Sequence, residues 1–380
     1  MKYICDFYIP VPNDEGRYFA LSACDKASYV FSVMNRLGYT IEVISPSYAK
    51  KTSRQRTDRL NDYVTVTSGF SLGWCNRLTK IISRASAMLW LLYFLLFKCK
   101  KGEVIMSYHG VQKTPVILLA QMLKRFRFIL EVEEIYSNLD LTSGEKWRYR
   151  LERAVIKRAD SYIFASKQLA DMCNDENKPF VVDSGSYYVP KLLTTKIDDG
   201  KIHLVYAGLI EYDKVAFKSA KIAKYLDDRY VIHIIGYGNE KDISLLETLI
   251  NKINSESQCF VQYEGLKRGD DYVSFLQSCH IGICPLSNSK DFQMACFPSK
   301  ITSYLSNGLL VVTTDNEVLK TSSYNKYLYF VENDSPYAFA ELIKSINIQD
   351  NLDPRECIKA EDERMLKELN VILDNFKYEL

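Results

Sequence analysis

Short apolar runs alternate with amphipathic helical segments along almost the whole chain, and this alternation restricts the fold more than any single motif does. A run too short for a helix, followed by a segment of helical period, makes a βα unit, and a succession of such units makes a mostly parallel sheet covered by helices. The first series predicts strands at 3–9, 40–44, 103–107, 126–132, 161–165 and 180–182. Its helices fall at 19–37, ended by Gly38, then around 80–98, at 114–125 and at 144–159. Residues 47–62, rich in Lys, Arg, Ser and Thr, read as a mobile loop. The stretch 185–200 carries Pro190, Asp198, Asp199 and Gly200 with no periodicity, and marks a boundary. A second series follows, with strands at 203–206, 230–235, 259–263, 280–284 and 309–313. Its helices are at 215–226, 241–255, 271–277, from 300, and at 336–346 and 355–378.

At 380 residues the chain exceeds one comfortable core, so two domains are expected. They run over 1–188 and 189–359, and a last helix over about 360–380 is placed to pack back on the first domain. Two successive open α/β units meeting at a cleft is the architecture this pattern predicts.

A net charge of +2 implies no overall pull toward nucleic acid. The ten cysteines are scattered, and the start MKYICDFYIP lacks the features of a secretory leader, so a cytoplasmic protein is expected. Residues 88–97, MLWLLYFLLF, are about half of the roughly 20 needed to span a bilayer. Arg77, Lys80 and Arg84 precede them, Lys98, Lys100 and Lys101 follow, and Lys124, Arg125 and Arg127 extend the basic character. Two readings are open: a helix buried in its domain with solvated ends, or one that also touches an anionic membrane at its inner, cytoplasmic face.

Chemistry concentrates in the second series. Phe297-Pro298-Ser299-Lys300 leads into a helix that Gly308 ends. Proline suits the first helical position, and the free amides there, with the helix dipole, favour an anion such as a diphosphate. Lys300 adds a point charge, and Ser299 and Ser303 share the same helix start. Gly208 follows a strand directly, so backbone can approach a ligand, and Lys214 lies six residues on. Gly236-Tyr237-Gly238 is half of a dinucleotide fingerprint without its third glycine. Pro285 closes the strand Ile281-Gly282-Ile283-Cys284. All four signals fall, in order, at strand carboxyl ends, where open α/β sheets hold ligands.

Taken in that order, these residues resemble the family-4 GT-B glycosyltransferases, nucleotide-sugar enzymes common in bacterial surface-polysaccharide pathways. The likeness covers about 200–345. It implies a GT-B fold, two Rossmann-like domains facing each other across a cleft, with the donor on the second and the acceptor on the first. It also implies metal-independent, anomer-retaining transfer from a UDP-linked sugar to a saccharide or lipid-linked saccharide, with the nucleotide sugar as co-substrate and no separate cofactor. Lys214 and Lys300 match the family's phosphate-binding pair. Two positions depart from the pattern: Leu209 stands where the family places Arg, and Ser303 where it places the Glu that holds the donor ribose. These departures keep a second reading open, a GT-B-fold subunit without catalysis that binds and stabilises a partner transferase.

In the first series, His109 follows one strand, and Glu131, Glu133 and Glu134 end the next. Carboxylates at a strand end suit general-base or electrostatic work on a sugar hydroxyl. Relatives often place a His where these glutamates stand, so Glu133 ranks above His109. Gly16 and Arg17, after the first strand, are candidates to approach the donor phosphates or the acceptor. No paired C-x-x-C units, P-loop or G-x-S-x-G motif occur, which argues against a zinc site, a P-loop kinase and an α/β-hydrolase.

Overall fold

The computed structural model describes residues 1–9, 15–135, 146–286, 297–348 and 353–378. The chain divides into two compact units, Met1–Ser186 joined by Glu363–Leu380, and Tyr187–Asp362.

In the first unit the elements run β1 (Lys2–Ile4), α1 (Leu21–Arg36), β2 (Ile41–Ser45), β3 (Arg56–Arg59), β4 (Val64–Ser68), α2 (Arg77–Lys98), β5 (Val104–Tyr108), α3 (Thr114–Lys124), β6 (Arg127–Val132), α4 (Lys146–Arg158), β7 (Ser161–Phe164), α5 (Lys167–Cys173) and β8 (Phe180–Val182). The sheet order is β3-β4-β2-β1-β5-β6-β7-β8, parallel except for the edge pair β3–β4. Strands covered on both faces need no polar alternation. The all-buried Ser-Tyr-Ile-Phe of β7 is such a strand. Helix α2 begins with a capping box in which the Asn76 side chain accepts from the Thr79 amide and the Thr79 hydroxyl returns to Asn76.

The expected loop at 47–62 instead contains β3, and β4 follows it. Strand β3 is Arg-Thr-Asp-Arg, an edge strand half in solvent that lacks the apolar run by which strands were read. The Val-Thr-Val-Thr-Ser of β4 is β-branched and mostly buried, and its alternation was the available signal.

In the second unit the elements are β9 (Ile202–Ile210), α6 (Val215–Lys221) with a following 3₁₀ turn, β10 (Tyr230–Gly238), α7 (Glu240–Glu256), β11 (Phe260–Tyr263), α8 (Gly269–Ser278), β12 (Ile281–Cys284), α9 (Ser299–Ser306), β13 (Leu310–Thr314), α10 (Glu317–Lys320), β14 (Leu328–Val331) and α11 (Pro336–Ser345), and the last helix, α12 (Arg355–Tyr378), begins in this unit and belongs to the first from Glu363 onward. Its six strands are all parallel, in the order β11-β10-β9-β12-β13-β14. Strand β14 was not expected from the sequence: its Leu-Tyr-Phe-Val run is short and only half-buried at its centre. Helix α7 is stopped at its start by Asn239, whose side chain accepts from the Asp242 amide, with Glu240 and Asp242 on the positive end of the dipole. Helix α9 ends at Gly308, whose φ of +77° continues the chain where an L side chain would be strained.

Candidate functional site

Both sheets reverse their strand order beside their first strand, between β9 and β12 in the second unit and between β1 and β5 in the first. Neighbouring crossovers leave in opposite directions at such a point, and the carboxyl ends of the two strands are left open to a ligand.

In the second unit the β9–β12 ladder pairs Leu204 with Ile281 and Val205 with Gly282. Beyond it, Tyr304 from α9 enters between the strands. Its hydroxyl accepts from the Ala207 amide at 2.8 Å and donates to the Ile283 carbonyl at 3.4 Å. A Cβ on Gly282 would stand 2.3 Å from the Tyr304 ring, so this strand position must be glycine for the helix to sit so close. Helix α9 is thereby anchored with its amino end at the strand ends.

The start of α9 converges with the end of β9. Pro298 is the N-cap, one residue earlier than expected, and Ser299 opens the helix. The N-cap offers no side-chain bond, and among the described residues the amides of Ser299 and Lys300 donate to nothing. Lys300 is half-buried, packs over the Tyr206 ring at 5.7 Å from its centre, and makes no ion pair among the described residues. Its side chain lies against Gly208: a Cβ there would be 2.6 Å from Cε and 3.2 Å from Nζ. Ammonium, free amides and bare backbone thus come together, the ingredients of an anion site.

The other residues of this constellation are placed less uniformly. Gly236 pairs with Gly208 across β9–β10, and a Cβ on it would stand 1.8 Å from the Gly208 carbonyl oxygen. Gly238 is opposite Ile210 and equally hemmed in by its carbonyl. Both glycines therefore serve strand packing. Pro285 is buried directly after β12, and Ser299 is exposed. Lys214 is exposed on the β9–α6 turn and paired with Glu211 at 3.0 Å. The Ser303 hydroxyl shares a 3.1 Å hydrogen bond with the Tyr272 hydroxyl of α8, a partner 31 residues away with no local signal. Leu209 is exposed.

In the first unit a cavity of about 520 Å³ opens at the ends of β1 and β5, lined among others by Asp6, Tyr18, Tyr108, His109, Lys113 and Glu133. Lys113 reaches Asp6 at 3.2 Å. Glu133 is ion-paired with the buried Lys26, which also lies 3.8 Å from Glu131 and 4.0 Å from Asp183 and donates to the Asp183 carbonyl at 2.7 Å. The hydroxyl of Tyr3 donates to Glu131. One lysine cannot balance three carboxylates. Burial, with Lys26 opposing it and the neighbouring carboxylates adding to it, pushes Glu131 up to about 8. Burial likewise pushes Asp183 up to about 6, against the pull of Lys26. His109 is buried with its Nε2 3.1 Å from Glu152 of α4.

Gly16 has a φ of +61° and abuts the Lys50 side chain. Arg17 is buried, and its guanidinium is taken up by the carbonyls of Ser47 and Gly69, at 2.9 Å each, and by Glu15. It serves as a strut tying loops of the first unit, not as the phosphate or acceptor contact expected from its position after β1. Lys26 and Asp183 were missed because 157 residues separate them and neither belongs to a local pattern.

No protein-family model and no curated protein matches this sequence. Solved structures do resemble it. A sucrose-phosphate synthase from Thermosynechococcus elongatus superposes with a TM-score of 0.69 at 11% identity, covering 100% of this chain and 99% of that one. A trehalose-6-phosphate synthase from Burkholderia multivorans gives 0.64 at 10%, covering 99% and 97%. The E. coli trehalose-6-phosphate structure bound with UDP-2-fluoro glucose gives 0.65 at 9%, covering 99% and 98%. At such identities the likeness is one of fold. The chain has the GT-B fold class, mixed α/β with two parallel-sheet domains.

Proposed function

We propose that this protein is a glycosyltransferase that moves a sugar from a nucleotide-diphosphate donor, UDP-linked, to a saccharide or lipid-linked saccharide. The observation that carries the proposal is Lys300: half-buried, without an ion pair among the described residues, at the open start of α9 and against Gly208. A diphosphate seated there would meet the amides of Ser299 and Lys300 and the ammonium at once. When the bond between sugar and diphosphate breaks, negative charge grows on the leaving phosphate, and fixed positive groups that need no reorganisation stabilise it. Lys214 sits on a flexible stem beside the same strand end, and its exposed pair with Glu211 costs little to open. The E. coli neighbour is bound with a UDP-sugar analogue, which supports the choice of donor.

The acceptor falls to the cavity of the first unit, where Glu133 would accept a hydrogen bond from a sugar hydroxyl and His109 would line the site. Retention of the anomer, independence of metal and a place in surface-polysaccharide assembly rest on the family-4 resemblance of residues 200–345. The second reading, a partner-binding subunit without catalysis, is favoured by one observation. Ser303, where that family holds the donor ribose, is already bonded to Tyr272.

Thermal shift of the purified chain against UDP, GDP, ADP, CMP and their sugars, followed by assay of nucleotide release, separates the two. Stabilisation by a uridine nucleotide together with release of UDP supports the transferase. No response to any nucleotide leaves the binding subunit.

A further inference from the structure

Helix α2 is 22 residues long and, by length and composition, apolar enough to cross a membrane. It does not have the surroundings of a core helix. One side, with Ser83, Ala87, Trp90, Leu91, Phe94 and Leu95, is buried in the first unit. The other carries Leu78, Ile81, Ile82, Leu89, Tyr93 and Phe97 to the surface, with Leu89 67% and Phe97 70% exposed. Neighbouring α3 packs beside α2 and adds Leu119, Met122 and Leu123, the last 63% exposed. Nine large apolar side chains on two adjacent helices are far more than the isolated exposed residues a soluble surface normally carries.

Charge is distributed to match. Residues 63–130 hold ten Lys and Arg against a single acid, Glu103, in a chain whose net charge is only +2. Glu103 is itself taken by Lys2. Arg77 at the start of α2, Lys98, Lys100 and Lys101 at its end, and Arg125 at the end of α3 are exposed and make no ion pair among the described residues. The apolar stripe is therefore bounded by unneutralised cations at both ends of α2.

We propose that α2 and α3 seat the first unit on the surface of an anionic lipid bilayer, the stripe in the acyl boundary and the basic ends among the headgroup phosphates. The helix lies on the bilayer and does not span it. Trp90 is wedged onto Gly69, where a Cβ would be 2.2 Å from the indole, and its Nε1 donates to Gln55 at 2.9 Å. Drawing α2 into a bilayer would strip that side from the rest of the first unit. A second copy is the wrong occupant, because an isologous contact would set the same cations against each other. This surface lies outside the donor site, so the proposal stands or falls separately from the transferase reading.

Sedimentation of the full chain with phosphatidylcholine vesicles, with and without phosphatidylglycerol, tests it. The expected result is binding to the anionic vesicles, weakened at least tenfold by high salt and by Lys98→Glu/Lys100→Glu/Lys101→Glu, and lost in Leu89→Asp/Phe97→Asp. These exposed positions should leave the melting temperature and any nucleotide response unchanged, which separates lost docking from lost folding or lost donor binding. Absence of vesicle binding, equal binding to neutral vesicles, or a soluble dimer broken by Leu89→Asp/Phe97→Asp would each overturn the proposal.

Discussion

Buried charge in the first unit is tuned at the level of single residues. Glu131 is fully enclosed, one of its oxygens accepts no hydrogen bond among the described residues, and Lys26 is shared with Glu133 and Asp183. Its folded pKa of about 8 is above the ordinary carboxylate value, so between the two the folded state holds a proton that the unfolded chain has released. Stability from this group is complete below the ordinary carboxylate range and is lost as pH rises through about 8. Urea melts from pH 5 to 9 should show the first unit weakening with rising pH, and Glu131→Gln should flatten that slope. A slope unchanged in the variant would place the titration elsewhere. The sequence made Glu131 and its neighbours visible as a cluster after a strand, but not Lys26 or Asp183. Pairing across the width of a sheet leaves no local pattern. Arg17 failed for the same reason: its partners, the carbonyls of Ser47 and Gly69, come from turns distant in sequence.

At the scale of elements, α9 is the part on which the donor reading depends. The tyrosine that anchors it is buried, and its hydroxyl accepts from the Ala207 amide just beyond the last β9–β12 pair, Val205 with Gly282. Removing that hydroxyl in Tyr304→Phe leaves a buried amide unpaired, at a cost of about 1–3 kcal/mol. The midpoint of unfolding of the second unit should fall accordingly, and nucleotide binding should weaken with it as the helix start loosens. A variant of unchanged stability would show that packing against Gly282 alone holds the helix. Most elements of both sheets could be read from apolar period and glycine punctuation. The strands that escape this reading are β3 and β14, short and half-exposed, whose pairing partners rather than their composition make them strands, and β4, whose buried Val-Thr alternation is five residues long. Pro298 was displaced by one residue for a related reason, since φ of proline suits the N-cap as well as the first helical turn.

Across the whole molecule, the same device is used twice: a parallel sheet that reverses its strand order beside its first strand, with polar groups gathered at the opening. Order along the chain told which residues stand at strand ends, which is why Gly208 and Lys300 could be named together before they were seen in contact. What order could not tell is which of the named cations is free. Lys214 is paired with Glu211, whereas Lys300 makes no ion pair among the described residues, and only the folded arrangement separates them. The account therefore rests on Lys300. Calorimetric titration of UDP and a UDP-sugar into the wild type and into Lys300→Ala, with melting curves to confirm folding, tests it most directly. Loss of a charge-assisted contact to phosphate should weaken binding about ten- to hundredfold. Equal affinity in the two proteins, or no binding by the wild type, would contradict the assignment of this site to a nucleotide diphosphate.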